Sequence, residues 1–178
     1  MVSGHGEVQV RPGVEADLAA LTALYNHYVR ETPITFDLEA FTPEERRPWL
    51  LSHPEDGPHR LMVATDTDSQ EILGYATSSP HRPKAAYATS VETSVYVAPD
   101  SSRGGAPRRR GIGSLLYDAL FKALADEDVH RAYAGITQPN EASRRLHERF
   151  GFQYVGTFRE VGRKFGRYWD VAWYEKEL

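Results

Sequence analysis

The residues best placed to do chemistry are Arg108-Arg109-Arg110-Gly111-Ile112-Gly113-Ser114, which follow the run Val95-Tyr96-Val97 and open an amphipathic segment. The first turn of a helix presents unpaired N–H groups and a partial positive charge. Two glycines there let an anion approach the backbone with no Cβ in the way, and neighbouring arginines add charge. The ligand implied is a phosphate or pyrophosphate. The dinucleotide fingerprint would need a third glycine where Leu116 stands, and the Walker motif needs a Gly-Lys-Ser/Thr that is absent. Taken alone, the stretch reads equally well as a glycine-rich helix entry beside a solvated arginine run.

Composition removes several other chemistries. The chain has 178 residues and no cysteine, so cysteine nucleophiles, thiolate metal sites and disulfides are excluded. Seven histidines are scattered without a His-x-x-x-His pair, and no metal is expected. There is no Gly-x-Ser-x-Gly elbow of a serine hydrolase. A formal charge of −4 disfavours a nucleic-acid or anionic-membrane partner. Met1 to Glu7 lack a basic and then apolar leader, and no apolar run approaches the roughly 20 residues of a membrane helix. A cytoplasmic protein with one domain over residues 1–178 is the expectation.

The elements that must position these residues follow from periodicity. Val8 and Val10 alternate with polar neighbours as a first strand, ended by Pro12-Gly13. Leu18, Leu21, Leu24, Tyr25, Tyr28 and Val29 mark one face of a helix. Thr42-Pro43-Glu44-Glu45 is a capping-box signal for a second, short helix, with Pro48 in its first turns or bending it. Strands are predicted over 61–64 and 72–78, joined by the turn at Asp66 to Ser69, and over 91–97. A helix starting near Gly111 carries Leu115, Leu116, Ala119, Leu120, Ala123 and Leu124 on its apolar side. A strand over 131–136, a helix over 140–150 stopped by Gly151, and strands over 152–159 and 168–175 complete the chain. This mixed order argues for one central sheet with helices on its faces.

With the elements in place, a second motif becomes legible one strand downstream: Asn140, Ser143, Leu146, Gly151 and Phe152. Together with Arg108, Gly111 and Gly113 it resembles the GNAT superfamily of acetyl-CoA-dependent N-acetyltransferases. Asn26-His27-Tyr28, Thr35-Phe36, Gly74-Tyr75-Ala76, Ala86-Tyr87, Val91 to Val97 and Gly162-x-Lys164-x-Gly166 are similar to the phosphinothricin and methionine-sulfoximine N-acetyltransferase subfamily. The resemblance covers nearly the whole chain. It implies an α/β (α+β) GNAT fold: a central mixed, mostly antiparallel twisted sheet of about seven strands with helices on both faces.

The resemblance implies direct acetyl transfer from acetyl-CoA to the α-amine of a small amino acid or analogue, in a homodimer, without a metal. Val95, Tyr96 and Val97 would lie along the pantetheine, with a backbone N–H polarising the acetyl carbonyl. Residues 108 to 114 (Arg108, Arg109, Arg110, Gly111, Ile112, Gly113 and Ser114) would hold the pyrophosphate, and Asn140 the pantetheine arm. Glu92 would be the general base. Arg82 and Lys84 would pair with the substrate carboxylate, in the reverse order of the Lys and Arg of herbicide-detoxifying members. Phe36, Thr93, Ser94, Lys164 and Phe165 would complete the acceptor pocket. Phe165 stands where phosphinothricin-acetylating members have a histidine, Tyr168 and Thr89 replace usual tryptophans, and the loop before Arg108 is longer than usual. His147 stands where many superfamily members have a tyrosine that protonates the leaving thiolate; a surface or internally bonded helix histidine is the simpler reading. The alternatives are an N-acetyltransferase for another amine (a protein N-terminus, a polyamine, an aminoglycoside) and a non-catalytic acetyl-CoA-binding regulator.

Overall fold

Local signals decide where most elements begin and end. The structure, a computed structural model, describes residues 7–99 and 111–178. The order is β1 (Val8–Pro12), α1 (Leu18–Glu31), α2 (Pro43–Leu51), β2 (Leu61–Asp66), β3 (Ile72–Pro80), β4 (Ser90–Val97), α3 (Ile112–Leu124), β5 (Arg131–Thr137), α4 (Glu141–Arg149), β6 (Gln153–Lys164) and β7 (Arg167–Glu177). Short 3₁₀ turns at Glu15–Asp17 and Ala85–Tyr87 were not evident from periodicity. The capping box of α2 forms as its sequence predicts. The Glu45 amide donates to Thr42 Oγ1 at 3.3 Å, and the Thr42 amide donates to Glu45 Oε2 at 2.7 Å. Pro48 sits inside that helix.

The strands form one sheet in the order β1-β2-β3-β4-β5-β7-β6. Among the described residues every neighbouring pair is antiparallel except β4–β5. The expected mixed, mostly antiparallel seven-stranded sheet is therefore present. α1 and α2 cover one face: Leu18, Leu21 and Leu50 pack on Leu61, Val63 and Tyr75. α3 covers the other, where Leu116, Tyr117 and Leu120 are fully buried against Ala76, Val91 and Ala132. Each such side chain contributes about 1.5–3 kcal/mol of burial. With both faces covered, all six residues of β2 are buried.

The last two strands are longer than periodicity indicates. β6 runs on to Lys164, and a two-residue turn at Phe165-Gly166 returns directly into β7. Both turn residues have positive φ, +54° and +71°, the arrangement whose twist matches a β-hairpin. The polar run after Phe158 hid this extension. The register of β6 shifts between Phe158 and Gly162, so the alternation on which a strand assignment rests is broken there.

Candidate functional site

The central feature is a split in the sheet. β4 and β5 pair only from Ser90↔Arg131 to Glu92↔Tyr133. Beyond Glu92, β4 stays in register with β3 as far as Val97↔Gly74, and β5 stays with β7 as far as Thr137↔Val171. Their facing edges part, so the inner backbone of residues 93–97 has no ladder partner on β5. An extended ligand can add to such an edge as a strand would.

A groove continues from the split across the α3–α4 face. Its inner part is lined by Thr93, Val95, Ile136, Asn140 and Ser143. Its outer part, about 550 Å³, reaches Gly111, Gly113 and Ser114 at the start of α3. Gly111 is the N-cap, with φ +89° and no side-chain cap, so among the described residues no capping side chain meets the first-turn amides at the groove end. A Cβ at Gly111 would project into open space, whereas one at Gly113 would stand 3.1 Å from Leu146. Ile112, between them, is buried in the core. Arg145 and Arg149 of α4 line the same end, and Arg149 donates to Ser114 Oγ at 3.0 Å. These two cations carried no sequence signal, because a helical charge run reads as a solvated face. Arg108, Arg109 and Arg110 lie outside the described residues. Asn140 caps α4, its Oδ1 accepting from the Ser143 amide at 3.1 Å, and lines the groove. Tyr28 closes over the end of β4, donating to the Val97 carbonyl at 2.5 Å.

Strand alternation sends neighbouring side chains of β4 to opposite faces. Thr93 goes to the α3 side: it is buried, and its Oγ1 lies 3.3 Å from the Tyr117 hydroxyl. It therefore sits with the groove rather than with the other expected acceptor residues. Tyr117 in turn meets His147 Nε2 at 2.8 Å. His147 Nδ1 lies 2.7 Å from the Ser143 carbonyl, which can only accept. The ring proton is thus on Nδ1, and Tyr117 donates to the bare Nε2. Burial pushes His147 below its ordinary value, with the Ser143 carbonyl opposing. It is an internally bonded helix histidine, with its one proton committed to the backbone.

Glu92 goes to the other face, with Ser94 and Tyr96. Its side chain is 34% exposed. Burial pushes its carboxyl above the ordinary carboxylate value, and the Arg82 charge opposes only part of this. Next to it lies a cavity of about 260 Å³ with Tyr25, Arg46, Tyr75, Ser94 and Tyr96 in its wall. Arg46 is buried and stacks on the rings of Tyr25 and Trp49 at 4.2 and 3.8 Å. Tyr25 hydrogen-bonds Thr35 Oγ1 at 2.7 Å and donates to Asp37, and burial with Asp37 pushes its hydroxyl up to about 12. Periodicity placed Tyr25 on a core face and gave Arg46 no role.

The other expected acceptor residues divide. Arg82 and Lys84 are exposed on the loop leading into Ala85–Tyr87. Lys164 is buried, and its ammonium donates to the Thr35 carbonyl at 2.7 Å, tying the β6–β7 turn to the segment after α1. Phe36 packs against Gly162, where a Cβ would stand 2.2 Å from its ring. Phe165, at the turn itself, is 55% exposed. No group of three or more His, Asp or Glu side chains that could hold a metal occurs among the described residues. No helix among the described residues is long and apolar enough to cross a membrane.

Residues 11–173 match the acetyltransferase (GNAT) domain family. The chain is 79% identical to a phosphinothricin N-acetyltransferase of Streptomyces coelicolor over 98% of this chain and 99% of that one. It is 32% identical to an L-methionine sulfoximine/L-methionine sulfone acetyltransferase of Pseudomonas aeruginosa, over 95% and 94% of the two chains. The fold superimposes with a TM-score of 0.84 on a GNAT superfamily phosphinothricin acetyltransferase of Sinorhizobium meliloti solved with acetyl-CoA, at 27% identity over 96% and 88% of the chains.

Proposed function

Because the chain belongs to the GNAT acetyltransferase family, we propose that it transfers the acetyl group of acetyl-CoA to the α-amine of a small amino acid or analogue, of the phosphinothricin or methionine sulfoximine/sulfone type. The observation that carries this reading is the split between β4 and β5, with Glu92 at its apex on one face and the uncapped start of α3 at its mouth on the other. The pantetheine adds along residues 95–97, and the diphosphate meets the α3 amides with Arg149 beside them. Acetyl-CoA supplies the thioester carbonyl. A backbone N–H on the open edge of β4 stabilises the charge that develops on its oxygen, worth about 10²–10³ in rate.

The amine approaches from the Glu92 face. It arrives as an ammonium, and Glu92 takes its proton; its burial raises the basicity of the carboxylate toward that task. General-base catalysis contributes about 10²–10⁴. Arg82 and Lys84, exposed at the rim, pair with the substrate carboxylate. The 79% identical relative favours phosphinothricin as acceptor. The turn, however, offers the apolar ring of Phe165, and the ammonium of Lys164 is taken by Thr35. These favour the uncharged sulfoximine or sulfone. A second copy of the chain fits the edge strand β6, where Tyr154, Val155, Phe158 and Val161 are all more than half exposed.

The test is thiol release with both acceptors for wild type and Glu92→Gln. The variant keeps the shape but accepts no proton, so kcat falls about 10²-fold or more while acetyl-CoA affinity is retained. Near-normal turnover removes Glu92 as base. A clear preference for phosphinothricin removes the reading of Phe165.

A further inference from the structure

His81 stands at the end of β3, beside Glu92, and the chemistry above leaves it without a task. Its Nδ1 is buried, has no hydrogen-bond partner among the described residues, and lies 3.7 Å from Glu92 Oε2. The ring is held from three sides. It lies flat on Tyr133 of β5, with centroids 4.4 Å apart at 20°, and meets Tyr87 and Trp173 edge-on at 6.0 and 6.2 Å. Tyr133 is the register partner of Glu92, so the stack and the carboxylate are fixed by the same pair of strands at the last rung before the split. Burying a ring nitrogen without a partner costs stability, and such groups are uncommon in native structures. Here the nearest acidic group is the carboxylate that the reaction uses.

We propose that His81 is a positioning residue for Glu92 that carries the substrate amine's proton onward to solvent. The inference rests on Glu92 as general base. The N–H bond of the ammonium breaks and its proton goes to Glu92 Oε2, leaving a neutral amine. The new O–H then breaks in turn, its proton passing to His81 Nδ1 as Nε2 releases its own proton to water. One proton leaves per amine: Glu92 returns to its carboxylate, and His81, left as the Nδ1–H tautomer, is reset when water returns a proton to Nε2 and takes the one on Nδ1 after the product has left the open site. An adjustment of about 0.5–1 Å brings Nδ1 and Oε2 within hydrogen-bond range. The groups facing the pair are Arg82, Tyr87 and Tyr133, with Ser79 opposite Glu92 in register. Burial, reinforced by the Arg82 charge, holds His81 below its ordinary value, so the ring is neutral and able to accept at neutral pH.

His81→Phe keeps the aromatic stack and removes both nitrogens; His81→Ala leaves a space the size of imidazole. Steady-state kinetics across pH, with unfolding midpoints as a check on folding, read the result. In both variants kcat falls about tenfold, the amine KM stays within twofold, and the acidic limb of the profile moves. Free imidazole restores turnover to His81→Ala but not to His81→Phe. In a Glu92→Gln background, His81→Phe costs nothing further, because the two residues act as one unit. Wild-type rates and pH profiles in both variants, with Glu92→Gln inactive, overturn the role of His81 alone. A fall in kcat with an unmoved profile and no rescue by imidazole shows a structural role and overturns it too. An active Glu92→Gln overturns the base assignment on which the proposal rests.

Discussion

Replacing Tyr117 by phenylalanine isolates one proton position in the interior. The tyrosine is fully buried in α3. Its hydroxyl donates to His147 Nε2 at 2.8 Å, a direction set by the Ser143 carbonyl 2.7 Å from the other ring nitrogen. Phenylalanine keeps the ring and its packing against Phe121, Phe150 and Phe152. What is lost is the hydrogen bond to His147 and the longer, 3.3 Å contact with Thr93 Oγ1, and what remains is an unpaired acceptor on a histidine that is 3% exposed. Orphaning a buried polar atom costs about 1–3 kcal/mol. In a chain of 178 residues this lowers Tm by about 2–4 °C for each kcal/mol. The expected loss is therefore about 2 kcal/mol, or 4–8 °C, by thermal and urea unfolding. Coupling sharpens the test: with His147→Leu already present, Tyr117→Phe costs much less, since no acceptor on residue 147 is then orphaned and Thr93 Oγ1 keeps the Tyr133 carbonyl at 3.4 Å. A single variant within about 1 °C of wild type, or an equal loss in both backgrounds, refutes the tautomer reasoning.

Three further outcomes are expected. Gly111→Ala forces a Cβ into φ +89°, at a cost of about 1–2 kcal/mol, and Gly113→Val presses on Leu146, so both lower acetyl-CoA affinity more than tenfold; unchanged calorimetric affinity removes the α3 entry as the anion site. Arg82→Ala and Lys84→Ala raise KM for an amino acid more than for its amide, because only the acid has a carboxylate to pair; equal effects on both show that these residues do not read it. Burial holds His53 and His147 below their ordinary values, His53 against the Trp49 carbonyl at 2.7 Å and with Ser79 at 2.9 Å. The unfolded chain then takes up protons first: stability is complete above about pH 6.5 and falls below it, by up to about 1.4 kcal/mol per pH unit for each histidine, until the folded-state pKa values are passed. A flat urea midpoint between pH 7 and 5 contradicts this.

The sequence by itself determined the parts of the molecule that are written in short-range terms. Thr42-Pro43-Glu44-Glu45 names the start of α2, because a capping box closes within one turn. Gly111 marks the entry to α3 and Asn140 that of α4, since the free groups of a helix end must be met by residues next to them. The alternation of β4 and the motifs around Gly113 and Ser143 were legible for the same reason, whereas the groove and the part given to Glu92 were expected only from the family resemblance that those motifs carry. Tertiary structure decided the rest. It set β7 between β5 and β6, and it ended the β4–β5 ladder at Glu92↔Tyr133, because register depends on which distant strands hold each edge. It set Thr93 against Tyr117 of α3 and gave the ammonium of Lys164 to the carbonyl of Thr35, 129 residues earlier in the chain. It laid His81 on Tyr133 with a bare nitrogen facing Glu92. No local pattern encodes these contacts. A side chain's protonation and partners are fixed by what the folded chain brings against it, and those groups come from elements far apart in sequence.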